Sequence, residues 1–324
     1  MLFAKKIKLI LKSVLLFFDL LGYRFFKKKN TIKSYNCLIE LFCLTGGYSN
    51  LILNNLVKKK LTLSYLHKKD EIGSLNENGF VFKKKYFDEY VINNINNKIL
   101  ELKGKYLGDQ YVSKTCEPLN ANQPKSATFR YDQNDLINIP EIQNIITDDY
   151  FLSLCSSYFK SLPIIDTFNL WWSFKSSLSD HNAAQKWHFD MDRLKWLKIF
   201  IHLNDINEKN GPHIFIKGTH KNLGIKENIL RSGYSRIDDK IINNIYPQDR
   251  FEKFLGEKGS IVIEDTRGLH KAEVPTHNPR LILVLQYSTA IFGANTPRIK
   301  FPKEKTKQFI NLLNSNPEIF ENFV

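Results

Sequence analysis

Residues 187–205 read Trp-His-Phe-Asp-Met-Asp-Arg-Leu-Lys-Trp-Leu-Lys-Ile-Phe-Ile-His-Leu-Asn-Asp, and the fold turns on how this stretch is laid out. Its second half alternates. Leu197, Ile199, Ile201 and Leu203 are uniformly apolar, so Trp196, Lys198, Phe200 and His202 share the opposite face of a strand over Leu194–Leu203. In its first half an extended chain puts His188 and Asp190 on one face and turns Phe189 to the other. Two donors can then grip one metal ion from one side, while the residue between them is anchored in an apolar layer.

Outward from this stretch the texture is that of short strands. Ile164–Phe174, His213–Lys217, Ser260–Asp265 and Leu281–Ser288 are β-branched or aromatic runs, and Gly211-Pro212, Lys217-Gly218 and Lys258-Gly259 punctuate them. Helical spacing predicts one helix over Asp148–Lys160, ended by Pro163, and another carrying Phe87, Tyr90, Val91, Ile95 and Leu100. A mainly β chain with a single helix-bearing insert, residues 221–258, reads as a jelly roll with flanking helices rather than a βαβ array. The expected organisation is a basic helical extension over 1–70, a catalytic domain over 71–295 and a helical tail over 296–324.

A third ligand must come from a neighbouring strand, and His270 follows Ser260–Asp265. Two imidazoles and a carboxylate on one face of an ion, with the other face open, suit a non-haem Fe(II) oxygenase. The bare triple is a weak signal. Arg280 strengthens it: ten residues after His270 it opens the strand Leu281–Ser288, on the face of Ile282 and Val284. A 2-oxoacid with a far carboxylate needs a buried cation, and a guanidinium supplies a bidentate one.

At this point the chain from about Leu75 to Ser288 resembles the phytanoyl-CoA dioxygenase family. The resemblance rests on Trp187-His188-Phe189-Asp190, on Phe200–Asp205 leading to Asn210-Gly211-Pro212, on Lys217-Gly218-Thr219-His220, and on Gly259–Asp265 followed by His270 and Arg280. It implies a cupin-like double-stranded β-helix, Fe(II) held by His188, Asp190 and His270, 2-oxoglutarate as cosubstrate, and O₂. Succinate and CO₂ would be released, and hydroxylation is the usual outcome. Asp190 disfavours a halide-ligated variant of the site. Residues 1–70 fall outside the resemblance.

Around this core, Lys198 and Thr266 are candidates for contact with the cosubstrate. Arg267, Arg193, Trp172 and Arg130 are candidates for contact with the substrate. Asp192 reads as part of the mouth, His213 and His220 as structural, and the insert 221–258 as a lid that sets substrate choice.

Composition excludes disorder over most of the length: hydrophobic residues make up 43% and charged residues 25% of 324. The cysteines Cys37, Cys43, Cys116 and Cys155 form no CxxC pair, which suits free thiols in a reducing, cytoplasmic setting. The net charge of +14 is concentrated at the N-terminus, where residues 1–35 hold nine Lys/Arg against one acid. On a helix Lys5, Lys8, Lys12 and Asp19 fall in one stripe, and the remaining surface, from Ile7 and Ile10 through Leu16 to Leu21, is apolar. The uncharged run Ser13–Phe18 is far short of the ~20 residues of a membrane span. Two readings stay open. One is a helix in a membrane interface, with Arg24 and Lys27–Lys29 over residues 3–29 meeting anionic headgroups at the inner membrane face. The other is a helix packed on the protein's own core, its charge stripe solvated. No nucleic-acid motif accompanies the basic residues, so none is expected as a partner. A small-molecule, sugar or lipid-linked substrate fits. The rival functions are a zinc hydrolase on the same three ligands, which leaves Arg280 without a role, and a non-catalytic membrane-surface protein.

Overall fold

The computed structural model describes residues 2–26, 31–61, 69–108, 111–175 and 185–324. Lys27–Lys29 lie outside the described residues. Eleven strands are found among those described: β1 (Phe80–Lys83), β2 (Lys103–Leu107), β3 (Glu117–Pro118), β4 (Thr128–Tyr131), β5 (Ile164–Ser173), β6 (Trp196–His202), β7 (His213–Ile216), β8 (Phe251–Phe254), β9 (Ile261–Glu264), β10 (His270–Ala272) and β11 (Arg280–Ser288). Eight form one sheet in the order β1-β9-β6-β11-β5-β4-β2-β3, and three form a second in the order β10-β7-β8. All the pairs are antiparallel. The two sheets face each other as the jelly roll that the strand pattern predicts, the double-stranded β-helix of the cupin-like fold.

Alternation on β6 sorts the residues as expected. Leu197, Ile199, Ile201 and Leu203 bury against the outer helices, together with Leu281, Leu283 and Leu285 of β11. Each such side chain contributes about 1.5–3 kcal/mol of burial. Phe200 instead joins Phe80, Phe215, Phe254, Val262, Ile282 and Val284 in a separate apolar cluster between the sheets. The outer face thus carries most of the core, which leaves the inner face free to be polar at one end.

The helix predicted over Asp148–Lys160 spans Asp149–Phe159, capped by the Asp148 carboxylate and closed by Lys160 in the left-handed region. Two readings need correction, and two strands were not anticipated. The strands β2 and β4 carry no strong strand signal, because Lys103-Gly-Lys-Tyr-Leu and Thr-Phe-Arg-Tyr are short and half polar; pairing to each other and to β5 makes them strands. The insert 221–258 is not a free lid throughout, since Phe251–Phe254 is a strand of the smaller sheet. Of the charge stripe of the first helix, Lys12 and Asp19 are drawn onto the neighbouring helix rather than left in solvent.

That helix, α1 (Leu2–Phe26), is followed by α2 (Ile32–Thr45) and α3 (Tyr48–Val57). Thr31 caps α2, and Gly46 with φ +60° ends it, a conformation that glycine adopts without strain. On α1 the inward face carries Leu16, Leu20 and Tyr23, and Lys12 and Asp19 lie on it too, bonded to Glu40 and Ser34 of α2. Ile10, Leu11, Val14, Phe17, Phe18 and Phe25 point outward instead, Phe18 being 64% exposed. Among the described residues no helix is long and apolar enough to cross a membrane. The three helices share one buried cluster with Trp187, Phe189, Met191 and Leu194, so the extension packs directly behind the segment that carries His188 and Asp190.

Candidate metal and cosubstrate site

Phe189 is fully buried and stacks on Phe42 of α2 with ring centroids 5.5 Å apart. Anchoring it turns the flanking side chains the other way, into the space between the sheets. His188 then lies opposite His270 across an antiparallel bridge. The His188 N–H donates to the His270 carbonyl at 3.0 Å, and the His270 N–H returns the bond at 2.9 Å. A third tie, from the Asp190 N–H to the Thr266 carbonyl at 2.8 Å, holds the two segments in register.

The imidazoles are oriented by their own backbones. His188 Nδ1 bonds the Lys186 carbonyl at 2.8 Å, and His270 Nδ1 bonds the Gly268 carbonyl at 2.9 Å. A carbonyl only accepts, so each Nδ1 carries the hydrogen and each Nε2 offers its lone pair inward. His188 Nε2 is 3.8 Å from Asp190 Oδ1, and His270 Nε2 is 3.6 Å from Asp190 Oδ2. One donor atom from each residue lies within 4.8 Å of the others. These separations exceed hydrogen bonds and suit donors that share an ion.

The charge states agree with that use. Burial holds both imidazoles below their ordinary pKa, so they are neutral near pH 7. Burial alone would raise the Asp190 carboxyl. The Lys198 ammonium, by its charge and its hydrogen bond, outweighs it and holds the group far below the usual carboxylate range. Neutral imidazoles and an ionised carboxylate are the forms a metal requires. Lys198 Nζ sits 2.7 Å from Asp190 Oδ2 and 2.8 Å from Asp192 Oδ2. It therefore serves the ligand carboxylate, with Asp192 on its other side.

Arg280 lies beyond, on the inner face of β11 with Ile282, Val284 and Gln286, where all four line one cavity of about 640 Å³. The three ligands line the same cavity. Gly211, with φ +72°, packs against the backbone of Glu273, and its carbonyl accepts from Arg280 Nη1. The other guanidinium contact is a long bond to Ser173 Oγ at 3.4 Å. Arg280 Nε is buried without a partner, and among the described residues no carboxylate pairs with this cation. Burial without compensation pulls the guanidinium down to about 10. A buried arginine lacking its counterion fits the far carboxylate of 2-oxoglutarate, and the three donors fit Fe(II).

The remaining candidates separate cleanly. Arg130 lines the cavity. Arg193 does not. It is 1% exposed and locked to Asp166 by two bonds of 2.7 and 2.6 Å, with a third to Thr296. Arg267 is likewise folded back onto Asp265, Nε to Oδ1 at 2.9 Å, with Tyr158 on the same carboxylate. Trp172 faces the outer core and stacks on Phe174; its neighbour Trp171 is the one that lines the cavity. Thr266 accepts from Trp196 Nε1 at 2.8 Å and does not reach the cavity. These four side chains are therefore placed outside the cavity that the sequence reading assigned them to. For the two arginines the reason is the same: a nearby buried carboxylate, Asp166 or Asp265, that local sequence does not announce as a partner.

The sequence reading missed a further pair. His213, read as structural, lines the cavity, and its Nε2 lies 2.9 Å from Glu264 Oε2. Burial pushes the Glu264 carboxyl up to about 8 and pulls His213 down to about 3, so both are neutral near pH 7 and the acid donates. The one available signal was register, since Glu264 stands opposite Lys198 on β6.

The family comparison agrees with this geometry: residues 75–279 match the phytanoyl-CoA dioxygenase (PhyH) family. The chain belongs to that family. Its members depend on Fe(II), 2-oxoglutarate and O₂, and this chain is one of those enzymes. Among solved structures, the PhyH chain is similar to HygX from Streptomyces hygroscopicus, crystallised with nickel, 2-oxoglutarate and hygromycin B. That match has 13% identity over 72% of this chain and 91% of HygX, with a TM-score of 0.49. It is also similar to EctD from S. alaskensis, with 14% identity over 77% and 86% of the two chains and a TM-score of 0.48. A third is the epimerase SnoN from nogalamycin biosynthesis, with 11% identity over 68% and 82% and a TM-score of 0.47. A search of curated proteins finds no match.

Proposed function

We propose that this PhyH enzyme hydroxylates a small polar or lipid-linked substrate, with His188, Asp190 and His270 as the iron ligands and Arg280 as the anchor of 2-oxoglutarate. The observation that carries the reading is Arg280, a buried guanidinium with an unpartnered Nε, lining the same cavity as three converging metal donors. A hydrolytic zinc site has no use for it. When bound, iron with 2-oxoglutarate and O₂ supplies the oxidising power, and succinate and CO₂ leave as coproducts. The chain's own part is placement. The carbonyls of Lys186 and Gly268 fix the two imidazole tautomers, and Lys198 keeps Asp190 ionised and oriented. Phe200, Ile282 and Val284 form the apolar stretch of the cavity wall, which strengthens the ion pair at Arg280 by keeping water away.

Anaerobic addition of Fe(II) and 2-oxoglutarate is expected to give a metal-to-ligand charge-transfer band, lost in His188→Ala and Asp190→Ala. A band of undiminished intensity in His188→Ala sinks the ligand assignment. Zinc binding without any succinate formation from 2-oxoglutarate favours the hydrolase instead.

The lipid-linked form of the substrate has one observation of its own in favour. The outward face of α1 is apolar, with Ile10, Leu11, Phe18 and Phe25 each more than 60% exposed and Arg24 beside them. Such a face suits an anionic membrane surface, where aromatic and aliphatic side chains enter the headgroup boundary. Replacing Phe17, Phe18 and Phe25 by serine leaves the buried Leu16, Leu20 and Tyr23 in place. Binding to vesicles of phosphatidylglycerol and phosphatidylcholine is expected to drop at least tenfold. Unchanged partitioning removes the membrane reading.

A further inference from the structure

The acids that line the cavity are all engaged. Asp190 and Asp192 share Lys198. Glu273 is 3.3 Å from Lys253. Asp132 accepts from the backbone N–H of Asn134 at 2.8 Å. The cations are not balanced in the same way. Arg236 lines the cavity near His188; beyond it and Arg280, the cavity is lined by Lys105 and Arg130, and among the described residues neither of these two has a carboxylate partner. The two stand directly opposite each other on β2 and β4, and Arg130 in turn stands opposite Trp171 on β5. Directly paired residues on neighbouring strands carry their Cβ atoms about 5 Å apart on one face. Lys105, Arg130 and Trp171 therefore make a continuous row along the inner wall. The Arg130 guanidinium lies 5.8 Å from the Trp171 ring. Both cationic side chains remain exposed to solvent, and the protein packed around the Arg130 guanidinium, with no acid beside it, lowers its pKa.

We propose that Lys105 and Arg130 dock a phosphate-type oxoanion carried by the substrate, with Trp171 as the contact for the carbon skeleton next to it. Two full positive charges match a group bearing about −1.5 to −2 charge at neutral pH, and the guanidinium fork suits its oxygens. A monocarboxylate would leave one cation uncompensated. The proposal narrows the substrate class of the function proposed above and rests on it for the reacting end of the cavity. The anion sits on the outer strands β2 and β4, whereas the cosubstrate anchor sits on β11 with β5 between. One substrate can thus be held at its charged end while another part of it lies near the metal ligands.

The test uses the full chain loaded with Mn(II) and 2-oxoglutarate, so that the metal position and Arg280 are both filled. Phenyl phosphate is the probe, with benzoate and phenol as the monoanionic and neutral comparisons, read by calorimetry. Phenyl phosphate is expected to bind at least tenfold more tightly than either. Arg130→Ala and Lys105→Ala are each expected to weaken it tenfold or more, Arg130→Lys less than Arg130→Ala, with 2-oxoglutarate affinity unchanged in all three. Benzoate or phenol binding as tightly as phenyl phosphate overturns the proposal, and so does phenyl phosphate binding that ignores both alanine substitutions. The two readings fail separately. Loss of 2-oxoglutarate binding with Lys105- and Arg130-dependent phosphate binding retained refutes only the oxygenase assignment. The reverse pattern refutes only the oxoanion site.

Discussion

Arg193 and Arg280 are both buried, and they sit in regions of opposite character. Around Arg193 every charge is closed: Asp166 receives two bonds from its guanidinium and a third from Gln286, and Thr296 and backbone carbonyls take the rest. Around Arg280 the ledger of charge is open, with one backbone carbonyl, one long hydroxyl contact and an unsatisfied Nε. A closed region costs a protein little to keep and does one thing, which is to hold strands together. An open one is expensive to bury, and a fold that retains it has a ligand that closes it. The difference teaches that burial of a charge says nothing by itself about function, whereas burial of an unbalanced charge does.

Three measurements break or sharpen this contrast. The largest effect is expected at Arg193→Ala, which strands the ionised Asp166 in the core; equilibrium denaturation should show a loss of about 3–5 kcal/mol. Affinity for 2-oxoglutarate in the folded fraction should hardly move. A smaller effect of opposite kind is expected at Arg280→Ala. Cosubstrate binding should weaken by about a hundredfold, roughly 2.7 kcal/mol, while the unfolding free energy stays level or rises because an unpaired cation has gone. If both variants lose stability alike, the distinction between closed and open sites is wrong. The third concerns the closed pair Asp265–Arg267. Burial raises the Asp265 carboxyl, but Arg267 and Tyr158 more than reverse this and hold it at about 2. A depressed carboxyl adds stability above its unfolded value near 4 and loses it as pH falls through about 2. Acid titration of the wild type should show that loss, on the order of 2 kcal/mol. Asp265→Asn should start less stable and show a flatter acid slope.

How much of this was legible beforehand follows from the range of the interactions. The inner and outer faces of β6 were readable because alternation is local, and Lys198 falls on the ligand side as its register requires. The convergence of His188, Asp190 and His270, and the place of Arg280 on β11, were readable because motif spacing carries them. The fate of Arg193 and Arg267 was not. Each is settled by a carboxylate whose distance in the chain, 27 residues for Asp166 and 2 for Asp265, is no guide to its orientation. Strands β2 and β4, which carry Lys105 and Arg130, were invisible for a related reason: their pairing to β5 is what makes them strands. The inversion of α1 has the same origin, because Glu40 and Ser34 on α2 draw Lys12 and Asp19 inward.

The stack of Phe42 on Phe189 bears on where this protein can be cut. The family match begins at residue 75, and a gene fragment drawn from that boundary looks like a complete catalytic unit. It would lack the ring that backs the residue between His188 and Asp190. It would also lack Asn50, which donates to the Leu194 carbonyl at 3.2 Å, and Asn54, which accepts from Thr289. What evolution shares across the family and what folds as one piece here are different lengths of chain. Truncations and domain transplants of this enzyme should therefore keep all three N-terminal helices, which together back the segment carrying His188 and Asp190.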